Sequence, residues 1–237
     1  MSRSPKKLRP VKIRPDTIKT SDGSCEIAFG KTRVICTAMW QEGVPSWKKG
    51  EETGWVTAEY GMLPGSSPQR IHREATRGKQ SGRTQEIQRL IGRSLRAVTD
   101  LHALGENTII VDCDVIQADG GTRTAAITGG FIAMILAMKK AMKEKKIHKI
   151  PVDDYVAAVS VGYVGGKLWL DLDYERDVCA DVDMNVVMTG SGKFIEIQGT
   201  AEKVPFSNKQ MAAMIKISTQ GIRQLIHHQK KIIGNIL

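Results

Sequence analysis

Residues 107–142 read NTIIVDCDVIQADGGTRTAAITGGFIAMILAMKKAM, and their reading fixes what the rest of the chain must accommodate. Asn107 to Ala118 is rich in β-branched residues around an apolar centre, which predicts a strand. The run Asp119-Gly120-Gly121-Thr122-Arg123-Thr124 ends that strand in a glycine turn and opens a helix. From Ala125 to Met142 the helix is apolar nearly all round, so it lies buried, in the domain or in an oligomer. Lys139, Lys140, Lys143, Lys145 and Lys146 follow at its exit, cations suited to a helix C-terminus and read as a solvated tail.

Upstream, residues 70–96 read RIHREATRGKQSGRTQEIQRLIGRSLR. The stretch opens as a basic, Gly-containing loop and becomes a helix from about Thr84 to residue 104, closed by Gly105. Ile87, Ile91, Val98 and Leu101 recur at helical spacing as an apolar stripe, with Arg89, Arg93 and Arg96 on the opposite face. Arg83 projects near the apolar sector at the helix start. An inward arginine is costly unless an anion meets it, either a carboxylate of this chain or a bound phosphate. Free N–H groups and the helix dipole favour negative charge at the same place.

The remaining chain is mostly strand. VKIRP from Val11, SCEIAF from Ser24 and RVICTAM from Arg33 form a hairpin-like unit, followed by an exposed loop over 41–54 and a strand at Trp55–Glu59. Past the buried helix, Val156–Val164 and Lys167–Asp173 are strands joined at Gly165-Gly166. Asp183–Thr189 and Phe194–Gln198 follow, and a last helix runs from about 208 to 233. The expected fold class is α/β (α+β) in one domain over 1–237. Its β-rich halves lie at about 8–118 and 150–200, pseudo-repeated, with helices at about 84–104 and 122–145 packed on mixed sheets.

Apolar residues at 41% and charged residues at 25% exclude a disordered chain. A net charge of +10, concentrated in the loop and helix around Arg70–Arg96, points to a polyanionic partner such as nucleic acid. Cys25, Cys36, Cys113 and Cys179 form no C-x-x-C pair, which argues for free thiols and against zinc. The basic N-terminus, read as a mobile or clamped arm over residues 1–10, has no apolar run behind it. No uninterrupted apolar stretch reaches the length of a membrane span, so the expected compartment is the cytoplasm.

Two segments carry possible chemistry. In QADGGTRT (117–124) the glycines let backbone N–H groups turn toward an anion, Thr122 adds a hydroxyl, and Arg123 adds a bidentate donor. The spacing of a Walker loop is absent, and taken alone the segment reads first as a plain structural turn; beside Arg83 it becomes a second set of anion donors. In DLDYERDVCADVD (171–183) the carboxylates without histidine suit Mg²⁺ or Mn²⁺. Asp171 and Asp173, on one face of a strand, are read together with Asp181 as solvated acidic groups. The histidines form no metal or triad pattern.

GWVTAEYGMLP (54–64), REATRGKQSGRTQEIQRLIGRSLRA (73–97), CDVIQADGGTRTA (113–125) and DMNVVMT (183–189) closely resemble the bacterial ribonuclease PH family across nearly the whole chain. The resemblance implies that fold, and inorganic phosphate held by Arg83 with Gly121, Thr122 and Arg123. It implies a catalytic divalent metal, Mg²⁺ or Mn²⁺, on Asp177 and Asp183, and a tRNA acceptor end held by Arg70, Arg73 and Arg77. It also implies a homohexameric ring, a trimer of dimers. The implied activity is phosphorolysis of RNA from its 3′ end, trimming tRNA precursors, releasing nucleoside diphosphates and reversible from them. Gly65, where members often carry arginine, and Ile71-His72, where polar pairs are common, are the departures. The alternatives are a ring subunit that binds RNA without catalysis, as in an exosome-like assembly, and a hydrolytic exonuclease. The latter would concentrate carboxylates for two metals rather than arginines.

Overall fold

In the computed structural model, which describes residues 3–237, the first half of the chain is a five-stranded sheet. Strands β1 (Val11–Pro15), β2 (Gly23–Phe29) and β3 (Thr32–Glu42) run as a meander, then come β4 (Trp55–Met62) and β5 (Asn107–Gln117). The order is β1-β2-β3-β5-β4. Only the β4–β5 pair is parallel, and a parallel pair needs a crossover. The crossover is the basic stretch, folded as α1 (Glu74–Arg77), α2 (Gly82–Arg96) and α3 (Leu101–Leu104).

Helix α4 (Thr122–Lys143) follows. The second sheet comprises β6 (Val156–Val164), β7 (Lys167–Leu170), β8 (Val182–Thr189) and β9 (Phe194–Ala201), in the order β7-β6-β8-β9 and antiparallel throughout. A short helix α5 (Tyr174–Cys179) joins β7 to β8, and α6 (Asn208–Ile233) packs on β6 and β8. A capping box, Ser207 with Gln210, starts α6.

The all-round apolarity of α4 has a direct cause. The helix lies on β2, β3 and β5 of one sheet and on β6 of the other, so it is covered all round until its C-terminal end, where Lys140, Met142 and Lys143 reach water. By length and composition it could cross a membrane, yet most of it is buried inside the protein. Close approach of β2 and β3 depends on Gly129. A Cβ there would stand 2.6 Å from Ile27 Cγ2 and 2.8 Å from Cys36 Sγ. Cys25, Cys36 and Cys113 are cross-strand neighbours beneath this helix, buried and free, as expected from the sequence.

Several expectations need correction. The helix expected over 84–104 is two helices: α2 ends at Arg96, and Asp100 caps α3 by accepting from Ala103 N at 2.9 Å. The break comes from pairing, since Thr99 bridges Val152 in an isolated β-bridge. Ile87, Ile91 and Val98 are buried as expected. Arg96 does not join Arg89 and Arg93 in solvent. Its guanidinium donates to Val56 O at 2.7 Å and stacks 4.2 Å over the Trp55 ring. Strand β7 stops at Leu170 because Asp171 takes the left-handed conformation, with φ of 58°.

Of the arm read at residues 1–10, the first two residues lie outside the described part, and the rest is clamped. Arg3 donates to Leu170 O at 3.0 Å and Asp171 O at 2.8 Å. Arg9 is buried against Asp171.

Candidate active site

The glycine turn between β5 and α4 supplies the floor of the site. Gly120 and Gly121 have φ of 74° and 66°, a region that costs other residues free energy. Gly121 is the N-cap of α4 and no side chain caps that helix end, so its first N–H groups are left for an outside acceptor. The carbonyls of the turn are held from behind. Arg9 donates to Asp119 O at 2.5 Å and Gly120 O at 3.2 Å, and Thr32 Oγ1 donates to Gly120 O at 2.6 Å. Arg9 is fixed in turn by the Asp171 carboxylate, through Nη2 at 2.6 Å and Nε at 3.0 Å. Asp171 is 1% exposed, so the expectation that it is a solvated acidic group is wrong. A carboxylate this deep survives because a bidentate arginine neutralises it. Asp173 caps α5 and pairs with Arg176, and Asp181 pairs with Lys203 at 3.2 Å.

Thr122 stands in the first turn of α4, and its hydroxyl shares a hydrogen bond of 2.8 Å with the buried Tyr60 Oη. Burial pushes the Tyr60 phenol above its ordinary value, against the pull of Thr122, Arg83 and Arg123. Arg123 aims across to the second sheet, donating from Nη1 to Gln198 Oε1 at 2.7 Å and meeting Glu86 Oε1 at 3.3 Å.

Arg83 opens α2, exposed rather than buried, and among the described residues it has no carboxylate within 4.0 Å. The acidic side chain at that helix start is Glu74, which accepts from Ser81 N at 3.0 Å and Thr84 Oγ1 at 2.7 Å. Glu74 and the Ser81 cap therefore meet the α2 terminus itself, and Arg83 is left for something else. Of the two alternatives raised by the sequence, the intramolecular ion pair is not formed.

Arg83, Gly121, Thr122, Arg123, Asp177 and Asp183 all line one cavity of about 990 Å³. A side lobe of about 270 Å³ takes in both arginines and both aspartates, together with Asn185 and Glu202. Two guanidinium groups forty residues apart in the chain thus face one space with two carboxylates. Asp183, on β8, has its carboxyl pushed up to about 6 by burial first and by Asp177 second. Its Oδ1 is buried and, among the described residues, has no hydrogen-bond partner. Asp177, on α5, stands at the rim; partial enclosure of its carboxyl raises its pKa, against the pull of Arg83 and Arg123.

A buried carboxylate oxygen without a partner, beside a second carboxylate, fits a hard cation. Among the described residues no group of three or more His, Cys, Asp or Glu side chains is placed to hold a metal. A cation here would be held by Asp177 and Asp183, a set of oxygen donors that suits Mg²⁺ or Mn²⁺.

Arg70, Arg73 and Arg77 do not reach this cavity. They are exposed on the loop and on α1, while Gln69 and Ile71 from the same loop form part of the wall. Sequence reasoning missed Arg9, Tyr60, Gln198 and Asn185. Only Asn185 carried a signal: two residues past Asp183 on a strand, it shares that face.

The sequence model of the 3′ exoribonuclease family, domain 1, matches residues 7–140, and that of domain 2 matches residues 154–221. Ribonuclease PH of Neisseria meningitidis is 54% identical over 234 residues, 99% of this chain and 97% of that one. Ribonuclease PH of Syntrophomonas wolfei is 57% identical over 227 residues, 96% and 95% of the two chains. Among solved structures, rice Rrp46 superposes with a TM-score of 0.79 at 16% identity, covering 98% of each chain. The Archaeoglobus fulgidus exosome with RNA bound to the active site gives 0.79 at 20%, covering 95% of this chain and 90% of that one. At such identities these two show the fold.

Proposed function

The chain belongs to the 3′ exoribonuclease family, and we propose that its cavity holds the attacking phosphate between Arg83 and the Gly121-Thr122-Arg123 turn. It is a phosphate-dependent 3′–5′ exoribonuclease of the tRNA nucleotidyltransferase kind. An oxygen of inorganic phosphate bonds to the phosphorus of the 3′-terminal nucleotide. The bond from that phosphorus to the 3′-oxygen of the preceding nucleotide breaks, and a nucleoside diphosphate leaves. Run backward, the same step adds a nucleotide.

Phosphate is already an anion at neutral pH, so no histidine base is needed. The difficulty is holding two mutually repelling phosphates in line. Arg83, without a carboxylate partner, supports this reading best: it is a full positive charge at the wall of a cavity that also holds the uncapped start of α4. Arg123, oriented by Gln198 and Glu86, adds a second donor from the opposite side. Asp177 and Asp183 would hold Mg²⁺ or Mn²⁺, which when bound offsets charge on the scissile phosphate.

The finer assignments belong to the same proposal. Exposed Arg70, Arg73 and Arg77 flank the cavity loop and receive the tRNA acceptor end. The two matched family domains are halves of one unit, and one hydrophobic core runs through both. The assembly is a homohexamer, a trimer of dimers, and the compartment is the cytoplasm, in keeping with three buried free thiols. Both arginines and both aspartates facing one space favour the enzyme over a non-catalytic RNA-binding subunit. The test is product analysis with ¹⁸O-labelled phosphate: labelled nucleoside diphosphates are expected, and unlabelled monophosphates would mean a hydrolase.

A further inference from the structure

The phosphate site leaves most of the cavity unexplained. Its side lobe is almost wholly polar, whereas Met62, Pro68, Ile71, Ala118 and Tyr174 line only the main chamber. One compartment therefore suits phosphates and a cation, and the adjoining one suits something flat and partly apolar.

Tyr174 is the notable wall of that second compartment. It is the first residue of α5, and Asp177 lies three residues on, so the two share a helix face one turn apart. The backbone of Tyr174 is fixed on both sides. Asp173 caps the helix by accepting from Arg176 N at 3.1 Å, and the Arg176 guanidinium stacks 4.1 Å over Trp169. On the other side lies Gly120 of the phosphate turn; a Cβ there would be 2.9 Å from Tyr174 N. The ring has none of this support. Tyr174 is 58% exposed, and among the described residues its hydroxyl has no hydrogen-bond partner and its ring stacks on no other aromatic. A rigidly mounted backbone carrying an unpartnered ring, one helical turn from a catalytic carboxylate, is a stacking platform.

Resting on the phosphorolytic reading above, we propose that Tyr174 stacks under the base of the 3′-terminal nucleotide, seating it so that its phosphate faces the inorganic phosphate held by Arg83. Every nucleobase has a π-face, so the platform accepts all four bases and lets the enzyme step along any sequence. The nucleoside diphosphate product keeps the same base, and it uses the same platform in the reverse direction.

The experiment measures KM for RNA, for inorganic phosphate and for nucleoside diphosphates with Tyr174→Ala, Tyr174→Phe and Tyr174→Trp, beside the wild type. Tyr174→Ala is expected to raise KM for RNA and for each nucleoside diphosphate roughly tenfold, similarly for the four bases, with KM for phosphate unchanged. Tyr174→Phe and Tyr174→Trp should restore wild-type values. An unchanged KM for RNA in Tyr174→Ala overturns the platform. So does an equal rise in KM for phosphate, which would mark a merely structural role for α5, or the same loss in Tyr174→Phe. A wild type that releases no diphosphate would instead sink the phosphorolytic reading, so the two failures are distinct.

Discussion

Asp183 shows how a single side chain records the function. Its folded-state pKa of about 6 lies above the ordinary 3.8, so the ionised carboxylate costs the folded protein free energy. The cost is absent below about pH 4, where the group is protonated whether folded or unfolded. It is complete once pH rises past the folded value of about 6. In chelator-treated protein Asp183→Asn should therefore be stabilising at pH 8, by up to about 3 kcal/mol, and near neutral at pH 4. Thermal melts at the two pH values check this. Added magnesium should stabilise the wild type at pH 8 and leave Asp183→Asn unmoved. A variant equally stable with the wild type at pH 8 would mean that Asp183 is solvated. Residues of this kind were legible only in part. Arg83, Arg123, Asp177 and Asp183 were readable as chemistry because arginines at helix starts and acids without histidine are unusual patterns. Arg9 and Asp171 were not, because the partners are 162 residues apart and neither neighbourhood marks the other.

At the scale of elements, periodicity and turn signals located the long strands and helices but not the short helices α1 and α5. Strands β2, β3, β5, β6 and β8 and helices α4 and α6 fall where alternation, glycine turns and caps put them. The helix expected over 84–104 failed where tertiary pairing outweighed local pattern. Val98 kept its buried place in the stripe, but Thr99 left the helix to bridge Val152, a partner invisible to local reading. Arg96 failed for a related reason. A helical wheel puts it in solvent, and the nearby start of β4 supplies Trp55 and a carbonyl that draw it back. The start of α2 gave the most informative outcome. The acid expected to meet it is present as Glu74, but it accepts from Ser81 and Thr84 and passes Arg83 by.

At the scale of the molecule, α4 is the organising feature, since both sheets close on it and its first turn opens into the cavity. The site is consequently built from both halves of the chain: Arg83 and Arg123 from the first, Asp177 and Asp183 from the second. No short stretch of sequence contains it. Apolar side chains remain on the outside, including Phe194 and Ile197 on β9 and Val178 on α5, surface that a ring assembly would cover. Sedimentation equilibrium should accordingly give six times the chain mass of 26.1 kDa, and a monomer at micromolar concentration would refute the hexamer. The most direct measurement of the whole account is the phosphate titration of Arg83→Ala during RNA degradation. Lost activity, or a half-saturating phosphate concentration raised by tenfold or more with the assembly intact, is the expected result. Degradation with the wild type's phosphate dependence would contradict it.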